Sequence, residues 1–233
     1  MAQWMPAQKQ GFDLLIVLTA AVFAIPVLAI AALLILALEG RPVLYVSRRR
    51  VYRDITMPVA KFRTMRRNAD RLINRDTVPV AGVRFLNTPS DSPVYTPIGR
   101  WIERLMLTEM PQLCYVLLGR MSLVGNRPLP ENVIASLREE YPDAETRFLT
   151  PAGLTGPVQL IGRDHISDRD RLMLETTYCH VVEHAYSPLL DLRILVGTVL
   201  VGLVPGYRFT PEQVMDLLLS HARPRPHAAA GLI

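Results

Sequence analysis

From Leu14 to Leu38 the chain carries no charged residue. A helix needs about 20 apolar residues to cross the ~30 Å hydrocarbon layer, and this run is longer than that. It is also too long for the apolar part of a cleaved leader, and Lys9 is the one positive charge ahead of it. Pro26 sits at its centre, where it removes a backbone hydrogen bond and kinks a helix. The arginines that follow (Arg41, Arg48, Arg49, Arg50, Arg53) place the downstream side in the cytoplasm. The upstream flank, Lys9 to Asp13, is nearly neutral and permits either side. A straight span and a bent helix that enters and leaves by one face are both compatible with these residues.

Half of the 233 residues are hydrophobic and mean hydropathy is +0.20, which excludes disorder as the dominant state. The excess of 26 basic over 21 acidic residues is almost wholly arginine, since Lys9 and Lys61 are the two lysines. Arginine's planar fork suits phosphate and carboxylate partners. The basic segment Arg48 to Arg53 follows the apolar run closely and reads as a loop, either resting on anionic headgroups or solvated. No nucleic-acid motif accompanies it, so nucleic acid is not expected as a partner. Cys114 and Cys179 lack CxxC spacing and make neither a disulfide framework nor a four-ligand zinc site.

Beyond the turn at Gly40-Arg41-Pro42, Val43 to Val46 is strand-like. Asn74 to Pro97 reads as loop. Ile98 to Gly119 has helical spacing, with Ile98, Ile102, Leu105 and Met106 on one face and Pro111 limiting its run. Thr108 is then expected to cap a helix N-terminus, with Glu109 at the positive end of its dipole. Helices are expected over Pro130 to Tyr141, Arg169 to His184 and Pro211 to His221. Leu192 to Val204 is apolar except for Arg193, yet too short to span. The tail from Arg223 reads as disordered.

Three separated segments carry the specific signal. They are Lys61-Phe62-Arg63-Thr64-Met65; Glu109-Met110-Pro111-Gln112-Leu113 leading to Met121-Ser122-Leu123-Val124-Gly125-Asn126-Arg127-Pro128; and Gly153-Leu154-Thr155-Gly156 through Gln159 to Gly162-Arg163. With the apolar run and Ser187-Pro188-Leu189-Leu190-Asp191-Leu192, they resemble the bacterial sugar transferase family, the monotopic phosphoglycosyl transferases. That resemblance implies an α+β, mainly helical fold. A re-entrant membrane helix (1–40), broken near Pro26, would precede a compact cytoplasmic domain (41–208) with amphipathic interfacial helices. A short helix and tail (209–233) would follow. It implies transfer of a sugar-1-phosphate from a nucleotide sugar, usually a uridine one, to polyprenyl phosphate on the cytoplasmic face of the bacterial inner membrane. Mg2+ is the implied cofactor. Downstream glycosyltransferases or a second copy of the chain are implied partners. The catalytic positions fall on Thr108 and Glu109, with Glu109 holding the metal. Substrate binding falls on Lys61, Arg63, Arg127, Gln159, Arg163 and Asp191.

Several residues depart from the family pattern. Thr108 stands where the family has its nucleophilic Asp, and Glu103 and Met106 replace an Arg and a Ser before it. Val94 replaces a further Arg, Asn126 a Pro, and the P-G-I-T-G loop gains a residue at Ala152. A threonine hydroxyl needs a base to act as a nucleophile. An inactive, membrane-bound substrate-binding or scaffold protein is therefore the alternative to an active transferase.

Overall fold

The computed structural model describes residues 5–67, 69, 92–162 and 166–222. Asn74 to Asp91 of the expected loop, Arg163, and the tail from Arg223 lie outside these.

The apolar run forms one helix, α1 (Ala7–Glu39), which continues through Pro26. Its middle is bare: Val22, Phe23, Ile25, Ile30 and Leu33 are each more than half exposed. Its ends are not. At the start, Lys9, Asp13 and Val17 are buried. Asp13 accepts from Ser122 Oγ at 2.7 Å and from the Leu123 amide at 3.3 Å. At the other end, Ala31 and Ile35 pack with Phe62 and Ile102. Arg63 Nη2 donates to the carbonyls of Glu39 (3.1 Å) and Gly40 (2.8 Å), answering the negative end of the helix dipole. Both ends of α1 thus rest on the same body.

A hairpin follows, β1 (Leu44–Tyr52) antiparallel to β2 (Ile55–Phe62), with Tyr45 opposite Lys61. The basic segment expected as a loop is the end of β1 and its turn. Arg50 is buried there and pairs with Glu131 (2.8 Å) and Glu145 (2.7 Å). A charge satisfied by two carboxylates can remain in a strand.

α2 (Pro97–Arg104) opens on Thr96, whose Oγ1 accepts from Gly99 N at 3.0 Å, with Pro97 in the first turn. It ends well before Pro111. Met106 is left-handed (φ 56), Met106 N donates to Glu103 O at 3.0 Å, and Leu107 N to Ile102 O at 2.9 Å. This paired closure terminates helices, and it makes residues 105–109 a turn rather than more helix. A three-residue 3-10 turn, Met110–Gln112, leads into the short α3 (Leu113–Leu117).

The remaining elements are β3 (Ser122–Val124), α4 (Glu131–Glu140), β4 (Gly153–Thr155), α5 (Asp168–Ala185), α6 (Pro188–Leu203) and α7 (Pro211–Ala222). β3 and β4 pair in parallel. The core joins Leu174, Tyr178 and Val182 of α5 to Ile194 of α6 and to Val214 and Leu218 of α7. The last helix is thus packed into the same core as the domain before it. The mainly helical α+β architecture expected from the sequence is present. α6 leaves Leu189, Leu192, Val196 and Leu203 exposed, a second apolar face beside that of α1.

Candidate active site

The site is built on the end of β2, the turn after α2 and the loop after β3. The loop is fixed by glycines. Gly125 N donates to Thr155 O at 2.7 Å, and Gly153 N to Asn126 O at 3.0 Å. A Cβ on Gly125 would lie 2.4 Å from Pro151 O, and one on Gly153 would lie 2.1 Å from Gly125 N. Both segments must therefore be glycine where they touch, which is the physical content of two of the three motifs. Asn126 reinforces the loop from behind. Its Nδ2 donates to the carbonyls of Arg147 and Glu175, both at 2.9 Å. Those two residues form a buried bidentate ion pair at 2.6 and 2.7 Å.

Held this way, Arg127 forms an ion pair with Glu109. Burial works against the Arg127 charge, but Glu109 outweighs it, and the guanidinium is held above its ordinary value. Lys61 is the second cation. Its ammonium lies 5.6 Å from the centroid of Tyr45, its cross-strand partner. Burial, and then the nearby Arg127, pull it down to about 8, while Glu109 and Glu103 pull the other way. Lys61, Arg127, Glu109 and Glu103 thus share one electrostatic neighbourhood.

Thr108 is buried, and its carbonyl accepts from Phe62 N at 2.9 Å. The expected cap is absent: Thr108 Oγ1 has no hydrogen-bond partner among the described residues. The helix expected to follow is the three-residue turn, too short to supply a macrodipole at Glu109.

Two expected substrate-binding residues serve elsewhere. Arg63 is buried against the C-terminus of α1, where its hydrogen bonds and a 3.7 Å approach to Glu39 occupy it. Asp191 is fully buried. It takes a 2.6 Å ion pair from Lys9 and hydrogen bonds from Tyr178 and Tyr186, both 3.0 Å. Burial first, then the Asp191 charge, pushes both phenols well above their ordinary range, so they remain donors. Lys9 Nζ also donates to Val124 O at 2.8 Å, tying the start of α1 to the residue before Gly125. Gln159 is half-buried in the 3-10 turn after β4, beside Gly156.

The sequence reading missed two residues. In sequence Lys9 is only a flanking charge, although it is the one lysine ahead of the apolar run. Glu103 was counted as a departure rather than as part of the site. Its Oε1 accepts from Thr64 Oγ1 at 3.0 Å, beside β2.

Comparison with known proteins gives a consistent picture. The sequence model described as bacterial sugar transferase matches residues 4–204. The chain is 33% identical over 196 residues to the exopolysaccharide production protein ExoY of Sinorhizobium fredii, covering 82% of this chain and 83% of that one. It is 32% identical over 207 residues to the undecaprenyl-phosphate glucose phosphotransferase of Komagataeibacter xylinus, covering 85% of this chain and 36% of that longer one. It is 29% identical over 180 residues to the undecaprenyl-phosphate galactose phosphotransferase of Salmonella typhimurium, covering 73% and 36%.

Proposed function

Given that the chain belongs to the bacterial sugar transferase family, we propose that it transfers a sugar-1-phosphate from a nucleoside diphosphate sugar to polyprenyl phosphate, the first step in building a cell-surface polysaccharide. One juxtaposition carries this reading. The segments that carry Lys61 and Glu109 also supply Phe62 and Pro111 to an apolar groove of about 450 Å³, whose lining includes Leu28, Leu33, Leu36 and Val43. Phe62 adjoins Lys61 in sequence, and Pro111 is two residues from Glu109. Phosphates need the cations and an isoprenoid chain needs the apolar wall.

The two seated ends of α1 support a re-entrant placement. A helix whose termini both bind one domain leaves neither terminus across the bilayer from it. The arginines after α1 favour the cytoplasmic side for that domain.

Each residue then has a task. Arg127 presents a planar fork to a donor phosphate, and Lys61 a point charge. The glycine-locked loop keeps Arg127 in place without side-chain rearrangement, so less ordering cost falls on binding. The hydroxyl of Thr108 and the carboxylate of Glu109 are hard oxygen donors, of the kind that fits Mg2+. Glu109 would hold the ion, and a bound Mg2+ would neutralise charge on the diphosphate as it is cleaved.

Thr108 also favours a second reading, a protein that binds donor and lipid without turnover. Release of nucleoside monophosphate by membrane fractions, across a panel of uridine diphosphate sugars with polyprenyl phosphate, separates the two. Lipid-dependent release that is lost in Glu109→Ala supports the transferase. Binding of donor and lipid with no release from any donor supports the scaffold.

A further inference from the structure

Resting on the transferase reading, we infer that Glu103 supplies the nucleophilic carboxylate that position 108 lacks. Set against the family pattern, the Arg and Asp at positions 103 and 108 become Glu and Thr, so a carboxylate is lost at one place and gained at the other. The fold brings the two places together. The left-handed turn at Met106 folds the chain that follows α2 back onto the helix end, with Leu107 N on Ile102 O. Both residues attach to one short segment at the end of β2. Phe62 N donates to Thr108 O at 2.9 Å, and Thr64 Oγ1 donates to Glu103 Oε1 at 3.0 Å. The same two cations that face Glu109, Lys61 and Arg127, also feel the charge of Glu103.

The three candidate nucleophiles are not equivalent. Thr108 Oγ1 has no partner among the described residues to accept its proton, so nothing there activates the hydroxyl. Glu109 pairs with Arg127 and is the carboxylate that would hold the ion. Glu103 is half-buried, with Oε1 oriented by Thr64 and Oε2 without a partner among the described residues. An ionised carboxylate with one oxygen held and the other open is a positioned nucleophile.

In the first step Glu103 Oε2 attacks the phosphorus that bears the sugar. The bond from that phosphorus to the bridging oxygen breaks, and nucleoside monophosphate leaves with the electron pair. The product is an acyl phosphate carrying the sugar. In the second step a phosphate oxygen of the polyprenyl phosphate attacks the same phosphorus, the polyprenyl diphosphosugar forms, and the Glu103 carboxylate is regenerated. Neither step needs a further reactant.

The test uses the full chain in detergent, with a uridine diphosphate sugar alone and then hydroxylamine, which converts an acyl phosphate to a hydroxamate. Trypsin cuts after Arg100, Arg104 and Arg120, so Glu103 lies on a different peptide from Thr108 and Glu109. The expected result is a burst of nucleoside monophosphate near one per protein, and a hydroxamate on the Trp101–Arg104 peptide. Glu103→Gln, whose amide oxygen still accepts from Thr64, is expected to bind donor within about threefold of wild type while losing the label and about a thousandfold in turnover. Label on the Leu105–Arg120 peptide overturns the inference. So does lipid-dependent turnover without a burst, or full turnover in Glu103→Gln, and both leave the transferase reading standing. Neither label nor turnover in the wild type overturns the inference together with that reading.

Discussion

The two lysines of this chain occupy opposite kinds of environment. Lys9 is fully buried, and its ammonium is met by Val124 O at 2.8 Å, Tyr178 Oη at 3.1 Å and Asp191 Oδ2 at 2.6 Å. Every donor has an acceptor and no water or ligand has room. Lys61 is half-buried beside another cation, Arg127, and its charge is held at a cost. The first arrangement is closed and its value lies in what it joins, the start of α1 to the domain. The second is incomplete, because two neighbouring cations are relieved when an anion arrives. Charge and burial alone do not distinguish a seal from a site; satisfaction does.

Breaking the closed cluster has the largest expected effect. Lys9→Ala leaves Asp191 buried without its counter-ion and is expected to cost about 3–5 kcal/mol, read as a fall in denaturation midpoint in detergent. Lys9→Met combined with Asp191→Leu removes both charges and is expected to recover much of that loss. If Lys9→Ala were neutral, the cluster would not be what seats the helix. Gly125→Ala reaches both lysine environments at once, since Val124 O holds Lys9 and Arg127 follows two residues later. The added methyl meets Pro151 O at 2.4 Å. It is expected to destabilise by about 1–3 kcal/mol and to weaken donor binding in the same variant. At the open cluster the two effects separate. Lys61→Met is expected to weaken nucleotide-sugar binding about ten- to hundredfold, measured by calorimetry, with the denaturation midpoint preserved or raised.

This contrast explains what the sequence revealed. The apolar run, the helices and the glycine motifs were legible because each depends on local spacing or on a backbone contact that only glycine permits. The structural partners of Arg63 and Asp191 were not legible because motif membership does not say which way a side chain turns. Arg63 sits two residues from Lys61 yet caps α1, and Asp191 closes on a residue 182 positions away. The turn at 105–109 was hidden because Met106 takes a left-handed conformation that no glycine advertises. The place of Glu103 beside β2 was hidden because it depends on α2 seating against Thr64, whose carbonyl accepts from Thr96 N at 3.0 Å, a long-range contact that no local pattern shows.

The smallest expected effect gives the sharpest test of the contrast, because it runs in opposite directions for stability and for binding. The folded-state value of Lys61 is lowered from 10.5 to about 8. Between those values the unfolded chain holds a proton that the folded chain has released. Stability attributable to Lys61 therefore rises with pH across that window, and below about 8 the penalty for keeping the ammonium is fully present. Donor binding needs the ammonium, so affinity is expected to fall as pH rises through about 8. Bound diphosphate stabilises the charge and moves that fall to higher pH in the complex. Lys61→Met removes both dependences, flattening the stability profile in this window and leaving weak binding that no longer changes near pH 8. Lys61→Arg, which stays protonated throughout, is expected to retain binding above pH 8 where the wild type loses it. If wild-type affinity held constant to pH 10, Lys61 would not be a donor contact, and Arg127 alone would carry the phosphate.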